Sequence, residues 1–389
     1  MKLLHTSDWH LGKSLYEFSL LEDQELILNR LLEILREEKI DALLIAGDIY
    51  DRPIPSAQAV RLFDSFLAEA TLGLKVPVIA VAGNHDSGAR LEFASGLMGQ
   101  SGYHIAGKVR ENIPVVTLHD KHGPVNIHLL PWLYPGDVRA LLPESEIKNF
   151  DSAYKALLEQ TLGALDANQR NVIIAHGFFA GLGGQCVLSE SEVSVGGMDI
   201  ADSSVFSRFT YAALGHLHAP QQAGAPHIRY SGSPLKYSLS EQDHCKSVTF
   251  VELGRPGEIE ITQIPLPFQR DLRTVRGSFE QLMDPGWHEN KSFGDYVFAE
   301  ITGHGALYPM EKLRTLFPQL LGLRFEMAQG DGGASREVGA ARERISVQEH
   351  FVRFYEAVKG EQIPDGYLRV LKESAAELED EIQQGEDAE

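Results

Sequence analysis

Short apolar runs recur through the first half of the sequence, and each ends on side chains that can bind a metal ion. The run at residues 42–46 ends on Asp48, and the run at 77–81 ends on Asn84 and His85. Continuous apolar runs of this length are typical of buried strands in parallel sheets, which are covered on both faces. In open α/β sheets, ligands bind beyond the carboxyl ends of the strands. This feature therefore predicts a layered α/β fold with a polar site at its strand ends.

Helical patterns separate the first strands. Ile27, Leu31 and Ile34 share one face of a helix predicted over 26–38, and a second helix is predicted over 56–70. Further strands are predicted at 2–6, 115–118, 126–130, 172–175, 211–214, 247–252 and 258–264, and a further helix at 152–165. The alternation of strands and helices indicates the α/β class.

The series of strands that end on polar side chains stops at Pro265 and Pro267. A strand-like piece at 295–301 and a helical piece at 310–317 indicate a small α+β unit, and a glycine-rich stretch after it is typical of a flexible linker. An S-x-x-E capping box and two apolar helical stripes, the first of them largely aromatic, then predict a helix pair. We expect a first domain over 1–268, a capping domain over 269–328, a linker over 329–344 and C-terminal helices over 345–389.

The chain of 389 residues is acidic, with 35 Lys and Arg against 55 Asp and Glu and a net charge of −20. This argues against a chain that coats nucleic acid by itself, because phosphate binding rests on Lys and Arg. Bound metals or a partner can still supply positive charge at a cleft. The two cysteines form no framework, and no apolar run reaches the ~18–20 residues of a membrane span. With an N-terminus that turns polar early, we expect a cytoplasmic protein without membrane contact.

Seven strand-end side chains offer carboxylate, amide and imidazole ligands. They are Asp8, His10, Asp48, Asn84, His176, His216 and His218. Such mixed donors suit divalent metals such as Mn, Fe or Zn. Seven side chains can fill two metal sites if one carboxylate bridges them, and the central position of Asp48 makes it the candidate. Two metals ~3.5–4 Å apart hold the attacking and leaving oxygens of a phosphoryl displacement and lower the pKa of water.

Each motif has an ordinary structural reading when it is taken alone. Asp8-x-His10 can be a turn, Asp48 can cap a helix, and His176 can be a buried core histidine. His216 and His218, two apart on a strand, face the same side. All the motifs occur in order after apolar strands, which coincidence does not readily produce.

The motifs D-x-H, G-D-x-x-D-R, G-N-H-D, H and G-H-x-H resemble the calcineurin-like metallophosphoesterase superfamily. The stretches LLHTSDWHLGKSLY, DALLIAGDIYDRPIPS, ALGHLHAPQ and IRYSGSPLKYSLSE are similar to the family of bacterial SbcD nuclease subunits. The resemblance is strong over residues 1–265, whereas the later segments match in order and size. It implies a calcineurin-like metallophosphoesterase β-sandwich flanked by helices, with a small α+β capping domain and a C-terminal helix pair.

The resemblance also implies how the seven ligands are shared. One metal is held by Asp8, His10 and His218, the other by Asn84, His176 and His216, and Asp48 is shared. The resemblance implies two Mn²⁺ ions, whereas the ligand types leave Mg²⁺, Fe²⁺ and Zn²⁺ open.

His85 lies beside a ligand but is not counted as one. The superfamily implies that it acts as general acid on the leaving oxygen, which must gain a proton. We expect Asp51 to hydrogen-bond His85 and raise its basicity. Arg52 can contact a phosphate or form a surface ion pair, and both readings stay open. Asp86 is expected to cap the following helix.

The resemblance implies a Mn-dependent DNA nuclease acting in DNA repair, recombination and replication. Its activities would be double-strand exonuclease and single-strand or hairpin endonuclease. The C-terminal helices would dock on the coiled coil of an SbcC-type ATPase, giving a heterotetramer of two subunits of each kind. Apolar residues near 56–70 and 91–98 could form the contact of a homodimer, although core packing explains them almost as well. Two alternatives are another phosphoesterase, acting on cyclic nucleotides or phosphoproteins, and a non-catalytic DNA-end tether.

Overall fold

The fold is taken from a computed structural model, which describes residues 1–181, 187–192, 200–288, 292–303 and 307–326, together with 352, 363–364 and 366–368. Its contacts divide the chain into a unit Met1–Ala328 and a unit Gln329–Glu389. Apart from the few positions just named, the predicted linker and C-terminal helices lie outside the described residues and stay predictions. Within the described part of the chain, no helix combines the length and apolar character that crossing a bilayer requires.

The first third of the chain alternates strands and helices as the apolar pattern predicts. In chain order it forms β1 (Lys2–Thr6), β2 (Ser14–Leu15), β3 (Phe18–Ser19), α1 (Leu21–Glu37), β4 (Ala42–Ala46), α2 (Ala57–Ala68), β5 (Val78–Val81), α3 (Gly88–Leu91), α4 (Ser95–Met98) and β6 (Tyr103–Ala106). The helix α1 begins earlier than predicted because its first turns bury the polar residues Asp23 and Gln24. These residues carry no apolar signal.

The middle of the chain supplies a second set of strands. In chain order it forms β7 (Val115–Asp120), β8 (Gly123–Leu130), α5 (Pro135–Leu141), α6 (Phe150–Ala164), β9 (Arg170–His176), β10 (Phe178–Ala180), β11 (Ile200–Asp202), β12 (Tyr211–Gly215), β13 (Gln221–Ala223), β14 (Ala225–Tyr230), β15 (Ser247–Leu253) and β16 (Ile259–Pro265). The helix α6 begins with a capping box between Asn149 and Ser152.

Two six-stranded sheets result, with the strand orders β16-β15-β1-β4-β5-β6 and β13-β14-β12-β9-β8-β7. The strands β1, β4 and β5 are parallel neighbours, and so are β9 and β12. Their carboxyl ends lie level, since Ala46 pairs with Val81 and His176 with Gly215. The loops that follow these strands therefore gather at one end of each sheet.

A shared aliphatic layer holds the two sheets face to face. Leu44 and Ile79 of the first sheet belong to the same buried cluster as Ile127 and Ile174 of the second. The helices α1 and α2 pack on the outer face of the first sheet, and α6 packs on the second. Each such buried side chain contributes about 1.5–3 kcal/mol to folding. The result is a β-sandwich flanked by helices, and the predicted fold class is confirmed.

A third sheet follows the sandwich. It is built from β17 (Leu272–Ser278), α7 (Phe279–Met283), β18 (Tyr296–Thr302), α8 (Pro309–Leu316) and β19 (Leu320–Glu326). The three strands are parallel in the order β17-β18-β19 and enclose a core of their own with the two helices. Asp23 of α1 accepts hydrogen bonds from Arg270 at 3.0 Å and from Tyr296 at 2.7 Å, which ties this sheet to the sandwich. A domain boundary at residue 268 stays a prediction.

Candidate metal centre

The predicted ligands converge where the central strands end. Asp8, His10 and His218 present ligand atoms within 4.8 Å of one another, and so do Asp8, Asp48 and His176. Asp48 Oδ2 lies 3.7 Å from His10 Nε2 and 3.4 Å from His176 Nε2. One carboxylate oxygen thus faces both groups, as a bridging ligand would.

Asn84 joins the second group through its amide oxygen. Asn84 Oδ1 lies 3.0 Å from His176 Nε2 and 3.2 Å from His216 Nδ1. The backbone N–H of His216 donates to the carboxylate of Asp8 at 3.0 and 3.1 Å. The structure therefore brings all seven predicted ligand residues into one connected cluster.

Four of the predicted ligands adopt a left-handed backbone, which is uncommon outside glycine. Their φ angles are 54° at Asp8, 44° at His10, 49° at Asp48 and 111° at His216. Such conformations cost about 1–3 kcal/mol each and persist only where the surroundings impose them. Here the loops fix each other, since Asp8 N–H donates to Gly47 O at 3.0 Å and His10 N–H to Asp48 O at 2.9 Å. Four of the nine non-glycine residues with positive φ in the described chain are thus predicted metal ligands.

The glycines that precede two ligands are required by close approach. A Cβ at Gly47 would lie 2.2 Å from His176 Nδ1, and a Cβ at Gly83 would lie 2.1 Å from Asp48 Oδ1. No side chain fits at these distances. Glycine in the Gly-Asp and Gly-Asn motifs therefore lets the strand ends approach closely enough to form one site.

The electrostatics of the cluster favour a cation. Burial lowers the pKa of His176, but the carboxylates of Asp48 and Asp8 outweigh it and raise this pKa to about 9. Burial would raise the pKa of Asp48, but the imidazoles of His176 and His10 hold it well below its usual range. Burial, helped by nearby His176, lowers the pKa of His216 to about 3. The centre thus combines an ionised carboxylate with a neutral imidazole that can bind metal.

The donor set fits divalent ions. His10 Nε2 and His218 Nε2 lie only 3.3 Å apart, and both rings are buried. Two imidazole nitrogens can share one proton at most, and a buried polar group without a partner is costly. A divalent cation accepts several such nitrogen and oxygen donors at once. The centre is therefore suited to divalent metal ions, and its ligand types do not select a single element.

His85 lies against this cluster. Its backbone N–H donates to Asp48 Oδ1 at 2.8 Å, and its ring stands edge-on to His10 with ring centroids 4.8 Å apart. His85 Nδ1 lies 3.1 Å from the backbone carbonyl of Asp51, which can only accept a hydrogen bond. The proton of the neutral ring is therefore fixed on Nδ1, and Nε2 is free to exchange a proton with a substrate.

The expected contact between His85 and the carboxylate of Asp51 needs correction. The backbone carbonyl of Asp51 makes the hydrogen bond with His85, and the Asp51 carboxylate accepts one from Lys13 Nζ at 2.9 Å. The carboxylate still lies close to both rings, since it forms a third cluster with His10 and His85 within 4.8 Å. Arg52 is 80% exposed, with its Nε 3.6 Å from Asp51 Oδ2, so it forms a loose surface ion pair.

Sequence reasoning missed a buried network behind His218. His218 Nδ1 lies 3.0 Å from Glu241 Oε1, and Glu241 Oε2 accepts from Lys246 Nζ at 2.6 Å. Lys246 also donates to His218 O at 2.9 Å and to Ser233 Oγ at 2.7 Å. A carboxylate behind a metal-binding imidazole orients the ring and raises its basicity. The only sequence signal was the position of Ser233 and Glu241 in a stretch quoted for the resemblance.

Two other supporting side chains were also missed. Gln24 donates from Nε2 to His10 O at 2.8 Å and accepts from Gly12 N–H at 2.9 Å, which holds the first ligand loop. Asp86 accepts from the N–H groups of Ile49, Tyr50 and Gly83 at 2.9–3.0 Å. The expectation that Asp86 caps the next helix is wrong, because its carboxylate instead joins the loops that carry two ligands.

Comparison with known proteins gives two family matches. The family model for calcineurin-like phosphoesterases matches residues 1–220, and a model described as the type 5 capsule protein repressor C-terminal domain matches residues 268–359. The D subunit of the nuclease SbcCD from Staphylococcus epidermidis is 31% identical over 324 residues. That alignment covers 83% of this chain and 85% of the relative.

Solved structures give weaker similarities. TT1561 of Thermus thermophilus shares 14% identity at a TM-score of 0.38, covering 67% of this chain and 98% of its own. The phosphoesterase Yfce from E. coli shares 16% identity at a TM-score of 0.28, covering 69% and 100%. TM-scores this low carry no argument about fold or function. The family model over residues 1–220 and the 31% identical relative agree with a strand-end centre that is suited to divalent metal. The chain belongs to the calcineurin-like phosphoesterases, which hydrolyse phosphate esters, and within them to the family of SbcD nuclease subunits.

Proposed function

We propose that the chain is a DNA phosphodiesterase that holds two Mn²⁺ ions and works as the nuclease subunit of a two-component complex. One observation carries the proposal. Six proposed ligand side chains lie around Asp48, the seventh, and His85 lies against them, in a chain of a nuclease-subunit family. The S. epidermidis relative is itself named as a nuclease subunit. The proposed activities are double-strand exonuclease and single-strand or hairpin endonuclease.

The proposed ligands fall into two groups around one carboxylate. One ion would be held by Asp8, His10 and His218. The other ion would be held by Asn84, His176 and His216. Asp48 would bind both ions. Two bound divalent ions neutralise phosphate charge and lower the pKa of water, which makes hydroxide available near neutral pH. Mn²⁺ is proposed because the resemblance to SbcD subunits implies it, and mixed imidazole and carboxylate donors are compatible with it.

The chain's own residues would position the substrate and move a proton. In its imidazolium form, His85 would donate the Nε2 proton to the leaving oxygen and become a neutral ring that keeps Nδ1–H on the carbonyl of Asp51. The bond from His85 N–H to Asp48 keeps this ring beside the metal ligands. Asp51 would hold the cationic side chain of Lys13 beside the site through their ion pair. Exposed Arg52 would reach a neighbouring phosphate.

The acidic surface favours a partner that supplies positive charge. With a net charge of −20, the chain would engage DNA chiefly at its cleft. We propose that residues 345–389 dock on the coiled coil of an SbcC-type ATPase, because their sequence carries two apolar helical stripes, the first largely aromatic. Ile54, Phe93 and Leu97 are 72%, 79% and 73% exposed and would form a homodimer contact.

The test compares substrates on the purified chain with Mn²⁺. Hairpin DNA and linear duplex are assayed beside cyclic AMP and a phosphoserine peptide, with chelator as the negative control. We expect cleavage of DNA alone and its loss with chelator. Hydrolysis of cyclic AMP or the peptide instead would support another phosphoesterase. Two bound metals without any hydrolysis would support a DNA-end tether.

A further inference from the structure

A cavity of about 510 Å³ opens against the metal centre on the side of Asn84. Its far wall comes from the loops that follow β6 and β8, which contribute Lys108, Trp132 and Tyr134. None of these three side chains takes part in the ligand cluster. The cavity therefore joins the proposed reaction centre to an aromatic and cationic wall without an assigned role.

Trp132 fixes this wall relative to the ligands. Its backbone N–H donates to Ala82 O at 2.9 Å, directly before the loop that carries Asn84. Its ring lies nearly parallel to that of His216, at 30° with centroids 5.6 Å apart. These two contacts hold the wall in a fixed position beside the proposed ligands. A fixed position of this kind is what orienting a substrate requires.

Tyr134 extends from this anchor into solvent. Its ring stands edge-on to Trp132, with centroids 5.8 Å apart, and its side chain is 56% exposed. It precedes Pro135, the first residue of α5, which fixes the backbone at this point. A rigidly held and exposed aromatic ring beside a reaction cleft is suited to stacking on a planar ligand.

Lys108 supplies the charge. Among the described residues that line the cavity it is the only cation, and no ion pair ties it to a described carboxylate. Two acids share the lining, but Asp86 accepts from three backbone N–H groups and Asp137 lies in the first turn of α5. The N-terminus of a helix stabilises such a carboxylate. Lys108 is therefore available for a phosphate.

We propose that Tyr134 and Lys108 form a nucleotide subsite in which Tyr134 stacks on a base and Lys108 neutralises a phosphate of the same strand. The proposal rests on the proposed nuclease function and specifies its substrate. The base must be unpaired, because a paired base inside a duplex does not offer its face. The subsite thus selects single strands, hairpin loops and frayed ends without reading sequence.

The first test replaces Tyr134. Binding of a single-stranded oligonucleotide is measured by fluorescence anisotropy for Tyr134→Ala and Tyr134→Phe, in the His85→Gln background to slow cleavage. We expect Tyr134→Ala to raise Kd about 5- to 140-fold, the equivalent of about 1–3 kcal/mol per stacked base. Tyr134→Phe keeps the ring and should bind as the parent does. Tyr308→Ala, at a similarly exposed tyrosine outside the cavity, is the matched control.

An abasic oligonucleotide separates stacking from structural damage. Without a base to stack, the parent and Tyr134→Ala should bind the abasic strand equally. If Tyr134→Ala weakens the abasic strand as much as the normal one, or weakens duplex and single strand alike, the subsite is wrong. Unchanged binding of the normal strand by Tyr134→Ala would also overturn it.

The second test concerns the phosphate contact of Lys108. For single strands, each neutralised phosphate contributes about 0.7 to the slope of log K against log salt. Lys108→Gln should reduce that slope by about 0.7, whereas Lys121→Gln, at an exposed lysine outside the cavity, should leave it unchanged. An unchanged slope in Lys108→Gln removes Lys108 from the subsite.

Failure of the subsite is distinguishable from failure of the nuclease function. The wild-type chain with Mn²⁺ is assayed on DNA and on methyl p-nitrophenyl phosphate, which has no nucleobase. Turnover of the small diester without any DNA cleavage would overturn both the nuclease function and the subsite. DNA cleavage that Tyr134→Ala leaves unaffected, in kcat and in KM, would overturn the subsite alone.

Discussion

The two halves of the proposed metal centre are held in place by different chemistry. His218 rests on a chain of buried charges, because Glu241 faces its Nδ1 and Lys246 pairs with Glu241, both side chains being inaccessible to solvent. The other half rests on neutral groups. His176 donates from Nδ1 to Ala46 O at 2.8 Å, and His216 lies under the ring of Trp132.

This difference changes the electronic character of the ligands. Burial lowers the pKa of His218, but the hydrogen-bonded carboxylate of Glu241 outweighs it and raises the pKa. Burial and the charge of His176 lower the pKa of His216 to about 3. A carboxylate-supported imidazole is the more basic ligand. We therefore expect Glu241 to strengthen metal binding by His218, a charged support that His216 lacks.

Substitution of Asp48, the carboxylate that both halves share, should have the largest effect on metal binding. Asp48→Asn removes the negative charge that faces His10 and His176, while the Oδ1 that accepts from His85 N–H is kept. We expect loss of both metals and of detectable phosphodiester cleavage, with the fold intact. Metal content after dialysis and circular dichroism check this. Asp243→Asn, at an exposed carboxylate, is the control. Retention of both metals would mean that Asp48 does not join the two halves.

Substitution of His85, the proposed proton donor, should lower turnover without changing metal binding by either half. His85→Gln removes a titratable ring while its backbone N–H still reaches Asp48. We expect kcat to fall by about 10²–10⁴-fold with two metals still bound. His119→Gln, at an exposed histidine on β7, should leave kcat unchanged. Full nuclease activity in His85→Gln would refute the proposed proton transfer.

The central strands β4, β5, β9 and β12 could be predicted because each contains a continuous apolar run. The strands β6, β13 and β14 were not predicted, because polar residues interrupt them. The start of α1 could not be predicted, because Asp23 and Gln24 are buried through polar contacts that have no periodicity. Strand order could not be read from spacing either. The strand β15 pairs with β1 across most of the chain, and the sequence offers no local sign of it.

The convergence of the proposed ligands was predictable, and the side chains that support them were not. Asp48 and Asn84 directly follow apolar strands, so their polarity is conspicuous at the strand end. Glu241 and Lys246 lie in a polar segment that looks solvent-exposed, yet tertiary contacts bury both completely. Asp51 was assigned through its side chain, whereas the backbone carries the contact. Sequence patterns reveal isolated polar residues in apolar surroundings and miss polar residues that are buried by distant parts of the chain.

The charged support of His218 should matter for one metal more than for the other. Glu241→Gln keeps the shape of the side chain but removes its charge, so His218 becomes a weaker ligand. We expect about 10–100-fold weaker binding of one metal and little change for the second, measured by calorimetric titration with Mn²⁺. Glu252→Gln, at an exposed carboxylate of β15, is the matched control. Equal weakening of both metals would contradict the proposed division of the centre.

A second variant separates this effect from lost stability. Glu241→Gln leaves Lys246 buried without its carboxylate, which costs about 3–5 kcal/mol for a broken buried pair. Replacing both, as in Glu241→Gln with Lys246→Met, should recover most of this stability, because apolar groups tolerate burial. The affinity for the weakened metal should not recover. Recovery of the metal affinity would show that Glu241 acts only through folding.

Removal of a neutral hydrogen bond behind His176 should have the smallest effect on metal binding and stability. Tyr154 donates from its hydroxyl to His176 O at 3.2 Å, which is a single hydrogen bond behind the neutral half. We expect Tyr154→Phe to lower the free energy of unfolding by about 1 kcal/mol, as measured by denaturant titration. Metal affinity should change less than in Glu241→Gln, because no charge is removed. Tyr103→Phe is the matched control, since the hydroxyl of Tyr103 is buried and has no hydrogen-bond partner among the residues that the structure describes. If Tyr154→Phe weakened metal binding as strongly as Glu241→Gln, charge would not be what distinguishes the two halves.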